Sequence, residues 1–252
     1  MPAVRHPSSP RRPARALAFT RRLLAWFRAE GRNLPWRASR DPYHILVSEF
    51  MLQQTQVARV AVYWPRFLDL YPTVDALARA RPARVREAWD GLGYYRRAEN
   101  LHRLAGIVVR DHGGAVPSDP ATLASLPGVG RYTAGAVASF AYERRTAAVD
   151  TNVARVLRRA FAPRAGGGAA ADRRLWDLAR ALLPVRRRVA WEFNQALMDL
   201  GATVCTARVP RCSACPVQPA CATGSRLIRI SRPRARSRRV SHPRSTPRRP
   251  AS

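Results

Sequence analysis

Four cysteines, at 205, 212, 215 and 221, fall within seventeen residues, and the rest of the 252-residue chain has none. If their thiols share a partner, the C-x6-C-x2-C-x5-C segment must close on itself, which fixes how the far end of the fold is built. Two disulfides confined to one loop of an otherwise cysteine-free chain would be an odd use of oxidation. A structural zinc suits four thiolates. A cubane iron–sulfur cluster suits them as well, because one short loop can wrap four thiolates around it.

Upstream of that loop the apolar spacing is helical. Leu17, Phe19, Leu23, Leu24, Trp26 and Phe27 alternate with arginines up to Glu30, where Gly31 reads as a C-terminal glycine. Arg40-Asp41-Pro42 reads as a helix start, and 43–57 (YHILVSEFMLQQTQV) as a long, mostly apolar helix. Further helices fit 58–69, 74–79, 83–89, 96–111, 119–126, 131–142, 151–161, 172–183 and 190–204, with proline and glycine between them. Strand-like alternation is scarce, so the fold class is all-α. No repeat of solenoid period occurs. After Cys221 the chain turns to Arg/Pro/Ser low complexity, which cannot build a core.

Charge narrows the partners. The formal net charge is +29, and all 45 basic residues are arginine, since the chain has no lysine. No side-chain amine is therefore available as a Schiff-base nucleophile. Ten arginines and no acid lie in 226–252, four more and no acid in 1–15, and removing those fourteen leaves +15 on 16–225. A polyanion accounts for such a charge; nucleic acid leads over an anionic membrane surface. No stretch approaches the roughly 18 apolar residues of a membrane span. The first residues lack an apolar secretory core and read as a disordered basic arm, the alternative being an Arg- and Ser-bearing transit peptide.

Residues 126–135, Leu-Pro-Gly-Val-Gly-Arg-Tyr-Thr-Ala-Gly, form a sharp turn between two helices. Gly128 and Gly130, with Val129 between them, permit unusual dihedrals and leave amides uncovered at a helix N-terminus, a geometry that binds phosphate without reading a base. A plain αα-corner is the other reading. Asp150 lies eighteen residues after Tyr132 and opens the helix Thr151-Asn152-Val153. It fits an N-cap, and capping is compatible with catalysis.

The hairpin, Asp150 and the cysteine loop together resemble the helix–hairpin–helix (endonuclease III) superfamily of base-excision DNA glycosylases. The finer resemblance is to the A/G-specific adenine DNA glycosylases, the MutY family. It is carried by Leu34-Pro35-Trp36-Arg37, by Ser48-Glu49-Phe50-Met51-Leu52-Gln53-Gln54-Thr55-Gln56-Val57, by Gly91-Leu92-Gly93-Tyr94-Tyr95-Arg96-Arg97-Ala98, and by Phe193-Asn194-Gln195-Ala196-Leu197-Met198-Asp199-Leu200-Gly201-Ala202. These motifs fall in family order over about 17–222.

Independently of the family, Glu49 sits among Ile45, Leu46, Val47, Phe50, Met51 and Leu52. A carboxyl there is partly desolvated, with a raised pKa suited to a proton donor; a glutamate on a wet helix face is the alternative. Glu49 with Asp150 makes a two-carboxylate pair that serves N-glycosidic cleavage through an oxocarbenium-like state.

The resemblance implies that Glu49 protonates adenine at N7. Asp150 would stabilise the C1′ cation, with a covalent sugar adduct as one route. Tyr132 stands where bifunctional relatives carry a Schiff-base lysine. Asn152 would orient the water and the carboxylates. Arg37 and Gln195 would hydrogen-bond the flipped adenine, with Trp36 lining the pocket. Gln53, Gln54 and Tyr94 would fill the vacated hole or wedge open the stack. Cys205, Cys212, Cys215 and Cys221 would hold a [4Fe–4S] cluster.

The expected organisation is a basic arm (1–15), a cluster domain from 16–39 plus 149–222, a six-helix domain (40–148) carrying the hairpin, and a disordered tail (223–252). The expected protein is a monomeric, monofunctional hydrolase acting on A:G or A:8-oxoguanine mispairs in double-stranded DNA, in the cytoplasm with the bacterial nucleoid. Many relatives add a C-terminal domain that recognises 8-oxoguanine; the arginine-rich tail here implies a short form or a degraded or misread remnant. The rivals are a thymine- or uracil-mismatch glycosylase on the same scaffold and a non-catalytic DNA-binding protein. The thymine-mismatch relative is not expected to carry the Glu49-type residue.

Overall fold

The computed structural model describes residues 13–164 and 166–224, and no strand occurs among them. Helix α1 (Ala14–Glu30) already includes the end of the supposed arm. The reason is Arg15, which donates from Nε to the Ala220 carbonyl at 2.8 Å and from Nη2 to that of Ala160. The rest of the arm lies outside the described residues, as do 225–252 of the tail. Thr223, expected in the tail, instead donates its hydroxyl to the Arg159 carbonyl at 3.0 Å. Gly31 closes α1 without a left-handed turn, at φ −59°. Its lack of a side chain serves close approach, since a Cβ there would lie 2.5 Å from the Phe27 carbonyl oxygen.

Asp41 starts α2 (Pro42–Leu52), its carboxylate accepting from the Tyr43 amide at 2.7 Å beside Pro42 in the first turn. Nearly every residue of α2 is buried, as a helix apolar on all sides demands. It stops five residues short of the expected end. Gln53 leaves the helical region and Gln54 takes φ +58°, while Arg97 occupies the last-turn carbonyls of Phe50 and Met51. Then follow α3 (Val57–Leu70), α4 (Val74–Arg79), α5 (Pro82–Ala88), α6 (Arg96–His112), α7 (Pro120–Ala124) and α8 (Arg131–Phe140). Within residues 40–148, α4 and α5 are short and separate, as the spacing over 74–79 and 83–89 predicts, because Ala80 is extended and Pro82 starts α5. The remaining helices are α9 (Thr151–Phe161), α10 (Ala169–Leu182) and α11 (Arg187–Thr203).

Two cores result. In the first, α2 packs on α3, α6 and α8, burying Phe50, Phe67, Trp89 and Leu104 completely or nearly so. In the second, α1 and α9 pack on α11, and α10 on α9, around Phe19, Leu23, Leu157 and Phe193. Each such side chain contributes roughly 1.5–3 kcal/mol when withdrawn from water. The cores meet where α8 touches α11 and where Trp191 of α11 joins the first core. At Gly135 of α8 a Cβ would stand 2.2 Å from the Ala147 oxygen, so the segment leading to Asp150 lies directly on that helix. No described helix is long and apolar enough to cross a membrane.

Candidate active site

Between the two cores lies a cleft of about 960 Å³, lined by Trp36, Arg37, Glu49, Gln53, Gln54, Tyr132, Asp150, Asn152 and Gln195 among others. A volume of this order takes a nucleotide-sized group. The expected residues that do not line it are Tyr94, the hairpin turn Gly128-Val129-Gly130 and the four cysteines; Val129 and Gly130 border a neighbouring groove of about 400 Å³ together with Arg131 and Trp176.

Glu49 is 4% exposed, and its Oε2 has no hydrogen-bond partner among the described residues. Burial pushes its pKa up to about 7; the Tyr132 hydroxyl opposes that shift and the Asp150 charge adds to it. Tyr132, half-buried beside both carboxyls, is pushed well above its usual range by desolvation and by their charges, and stays a neutral phenol. Across the cleft, Asp150 caps α9. One oxygen accepts from the Val153 amide at 2.6 Å and the other from Asn152 Nδ2 at 2.9 Å. The Asn152 oxygen accepts in turn from Arg155, whose Nε donates to the Cys205 carbonyl at 2.8 Å. The two carboxyls therefore differ in kind: one buried in an apolar helix with one oxygen unpartnered, one held at a helix N-terminus.

On the other wall, Arg37 spends four of its five N–H donors within the protein, one of them on the Arg32 carbonyl. Its Nε donates to Gln195 Oε1 at 2.8 Å, and its Nη1 and Nη2 donate to the two Asp199 oxygens at 2.9 and 2.8 Å. Asp199, 1% exposed, also binds Arg32, and these arginines hold its carboxyl below the usual carboxylate range despite burial. With Gln195 Oε1 taken by Arg37, its amide nitrogen is left to donate elsewhere. Trp36 stacks edge-on against Trp64 at 6.4 Å, which fixes its indole.

At the hairpin only Gly128 needs glycine for its backbone, with φ +77° and a Cβ that would meet Phe50 and Asn100 at 2.9 Å. Gly130 differs from the expected unusual dihedral: its φ is −88°, and a Cβ would meet nothing within 4 Å. Its lack of a side chain keeps that face open. No side chain caps the start of α8, so its first amides face outward at the positive end of the helix dipole.

The four cysteines are free thiols lining one small cavity with Val156, Leu200 and Val217. Arg159 Nη1 lies 3.4 Å from Cys205 Sγ. Among the described residues, no three His, Cys, Asp or Glu side chains gather closely enough to hold one metal ion. A single zinc would need all four sulfurs about 2.3 Å from one point. A cubane cluster calls for the same four thiolates around a larger body, and four cysteines on one cavity are the donor set that either group needs.

Sequence reasoning gave no role to Asp199, Arg97 or Arg155, although the first two lie within the quoted motifs. The signal for Asp199 was present: it is an acid flanked by Leu197, Met198 and Leu200, in a chain with only 16 acidic residues.

A hairpin at the start of one helix and a capped aspartate at the start of the next, closing on a buried glutamate, define a DNA-repair scaffold rather than a generic helical bundle. Residues 47–181 match the HhH-GPD superfamily of base excision DNA repair proteins, and the chain belongs to that family. Within it, the chain is 54% identical over 196 residues to an adenine DNA glycosylase of Mycobacterium tuberculosis, which covers 77% of this chain and 64% of that protein. It is 47% identical over 220 residues to an adenine DNA glycosylase of Rattus norvegicus, covering 83% of this chain and 42% of that protein. The chain thus spans under two thirds of the length of these relatives. Among solved structures, a thermostable thymine-DNA glycosylase superposes with a TM-score of 0.75 at 31% identity, covering 84% of this chain and 97% of that one.

Proposed function

We propose that the chain is a monofunctional adenine DNA glycosylase, hydrolysing the N-glycosidic bond of adenine opposite guanine or 8-oxoguanine in duplex DNA. The observation that carries this reading is Glu49, a carboxyl with pKa near 7 and an unpartnered oxygen, set across the cleft from the capped Asp150. At neutral pH a large fraction of Glu49 holds a proton to pass to N7 of the leaving base. Asp150 faces the sugar as positive charge develops at C1′. Asn152 holds the second Asp150 oxygen and orients it, and the neutral Tyr132 phenol donates a hydrogen bond within the pair. Water then completes the hydrolysis. No side-chain imine forms, because the chain has no lysine. Gln195 contacts the base, Arg37 orients Gln195, and Trp36 walls the pocket.

A [4Fe–4S] cluster held by Cys205, Cys212, Cys215 and Cys221 would tie the loop that follows α11 and take no part in bond cleavage. Purified protein should then be brown with about four irons per chain; stoichiometric zinc after anaerobic preparation would replace this assignment. The protein acts as a monomer on nucleoid DNA in the cytoplasm, its arginines holding the phosphate backbone.

A thymine-mismatch activity is the second reading, favoured by the likeness to the thymine-DNA glycosylase. Single-turnover assays on duplexes with A opposite G, A opposite 8-oxoguanine and T opposite G separate the two. Release of adenine alone is expected; release of thymine alone would reverse the assignment, and release of neither would leave a DNA-binding protein.

A further inference from the structure

Arg97 is 7% exposed and makes no ion pair with any carboxylate among the described residues. Its charge is met by backbone oxygens from two loops. Nη1 donates to the carbonyls of Phe50 at 3.0 Å, Met51 at 2.8 Å and Gln53, at the end of α2. Nη2 donates to Thr55 Oγ1 at 3.0 Å and, on the other loop, to the carbonyls of Leu92 at 3.1 Å and Gly93 at 2.9 Å. The Tyr94 carbonyl accepts from the Arg97 amide at 3.0 Å, and the Tyr94 ring lies 5.6 Å from the guanidinium.

The two loops so joined carry two of the three non-glycine residues with positive φ among the described residues, Gln54 at +58° and Tyr94 at +48°. Such conformations persist only where the surroundings over-determine them. Both side chains are exposed, Tyr94 by 63%, and Gln54 stands at the rim of the cleft. An aromatic ring left in water, on a loop tied by one guanidinium to the loop that bears Gln54, is placed to enter a base stack.

We propose that Arg97 is a positioning residue that presets Gln54 and Tyr94, as a pair, for insertion into the duplex when the target base is extruded. This rests on the glycosylase reading above. The planar fork explains the residue type: one guanidinium reaches both loops at once, whereas an ammonium offers three donors from a single point. Using carbonyls instead of a carboxylate also leaves no anion at the place where DNA phosphates approach. The carbonyls at the end of α2 supply the negative end of its dipole.

The test uses the full chain carrying Glu49→Gln, so that no base leaves, and an A:G duplex with 2-aminopurine beside the adenine. Stopped-flow fluorescence reads unstacking. Arg97→Lys should slow unstacking roughly tenfold while affinity for undamaged duplex changes less than about threefold, and in a Gln54→Ser, Tyr94→Ala background it should add less than about twofold, the non-additivity of residues acting as one unit. Unchanged unstacking would overturn the proposal, as would an undiminished loss in the background lacking both tips, which is what simple destabilisation produces. Should Arg97→Lys not fold, Thr55→Val decides. It deletes one acceptor and should slow unstacking by a smaller factor that vanishes without the tips; no slowing overturns the proposal. If the otherwise unaltered protein releases no base from A:G duplex, the glycosylase reading fails and this one falls with it; if it releases adenine normally, only the Arg97 assignment is under test.

Discussion

Replacing Glu49 with glutamine removes a buried titratable proton while keeping the side chain's size. In the folded protein the carboxyl titrates near 7, against an ordinary value of 4.5. A raised folded-state pKa means that the native state holds its proton more tightly than the unfolded chain. Its contribution is complete below pH 4.5 and is lost as pH rises toward 7. At about 1.36 kcal/mol per pH unit, the wild type should lose about 2–3 kcal/mol between pH 5 and pH 8.5 that the glutamine variant does not lose. For a domain of this size that corresponds to a relative gain of about 5–10 °C in Tm for Glu49→Gln at the higher pH. Thermal denaturation of both proteins at the two pH values reads it. Single-turnover base release by the wild type should fall about tenfold per unit above pH 7, and in the variant it should be lost by orders of magnitude at every pH. A Tm difference that does not change with pH would show that Glu49 is not a desolvated acid. A near-normal rate in the variant would remove it from the chemistry.

Asp199→Asn should cost about 3 kcal/mol in urea unfolding, because it leaves Arg32 and Arg37 without their buried carboxylate; a loss under 1 kcal/mol would mean that water replaces it. Gly130→Ala should leave Tm unchanged yet weaken binding to all duplexes, since its Cβ points into open space beside the α8 amides, whereas Gly128→Ala should lower stability by about 1–3 kcal/mol through its positive φ. Equal thermal shifts for the two would refute the distinction. Deleting residues 226–252, with their ten arginines, should weaken all duplex binding alike and flatten its salt dependence, from a slope of roughly −0.9 per phosphate engaged. Loss of only the preference for 8-oxoguanine would make the tail a recognition element. Borohydride should trap little or no protein–DNA adduct, with only the N-terminal amine available; efficient trapping would contradict monofunctional hydrolysis.

The sequence by itself determined whatever depends on near neighbours along the chain. Helical periodicity with proline and glycine breaks placed the helices, because backbone hydrogen bonding and side-chain facing repeat every few residues. An acid inside a mostly apolar helix is expected to be buried, which made the state of Glu49 legible from 43–52, and the structure decided against the wet-face alternative. Asp150 at the head of Thr151-Asn152-Val153 had to be a cap for the same local reason. What the tertiary structure decided are the partnerships between distant segments. The end of α2 at Leu52 depends on Arg97, more than forty residues away, taking the carbonyls that would otherwise continue the helix. The orientation of Gln195 depends on Arg37, and that of Arg37 on Asp199, from opposite ends of the chain. The glycine at 31 answers a ring packed against it rather than a turn. Periodicity assigns a residue to the interior but does not say which buried charge it will meet there. In this protein burial raises the proton affinity of Glu49, and those meetings adjust it and fix the geometry of the cleft.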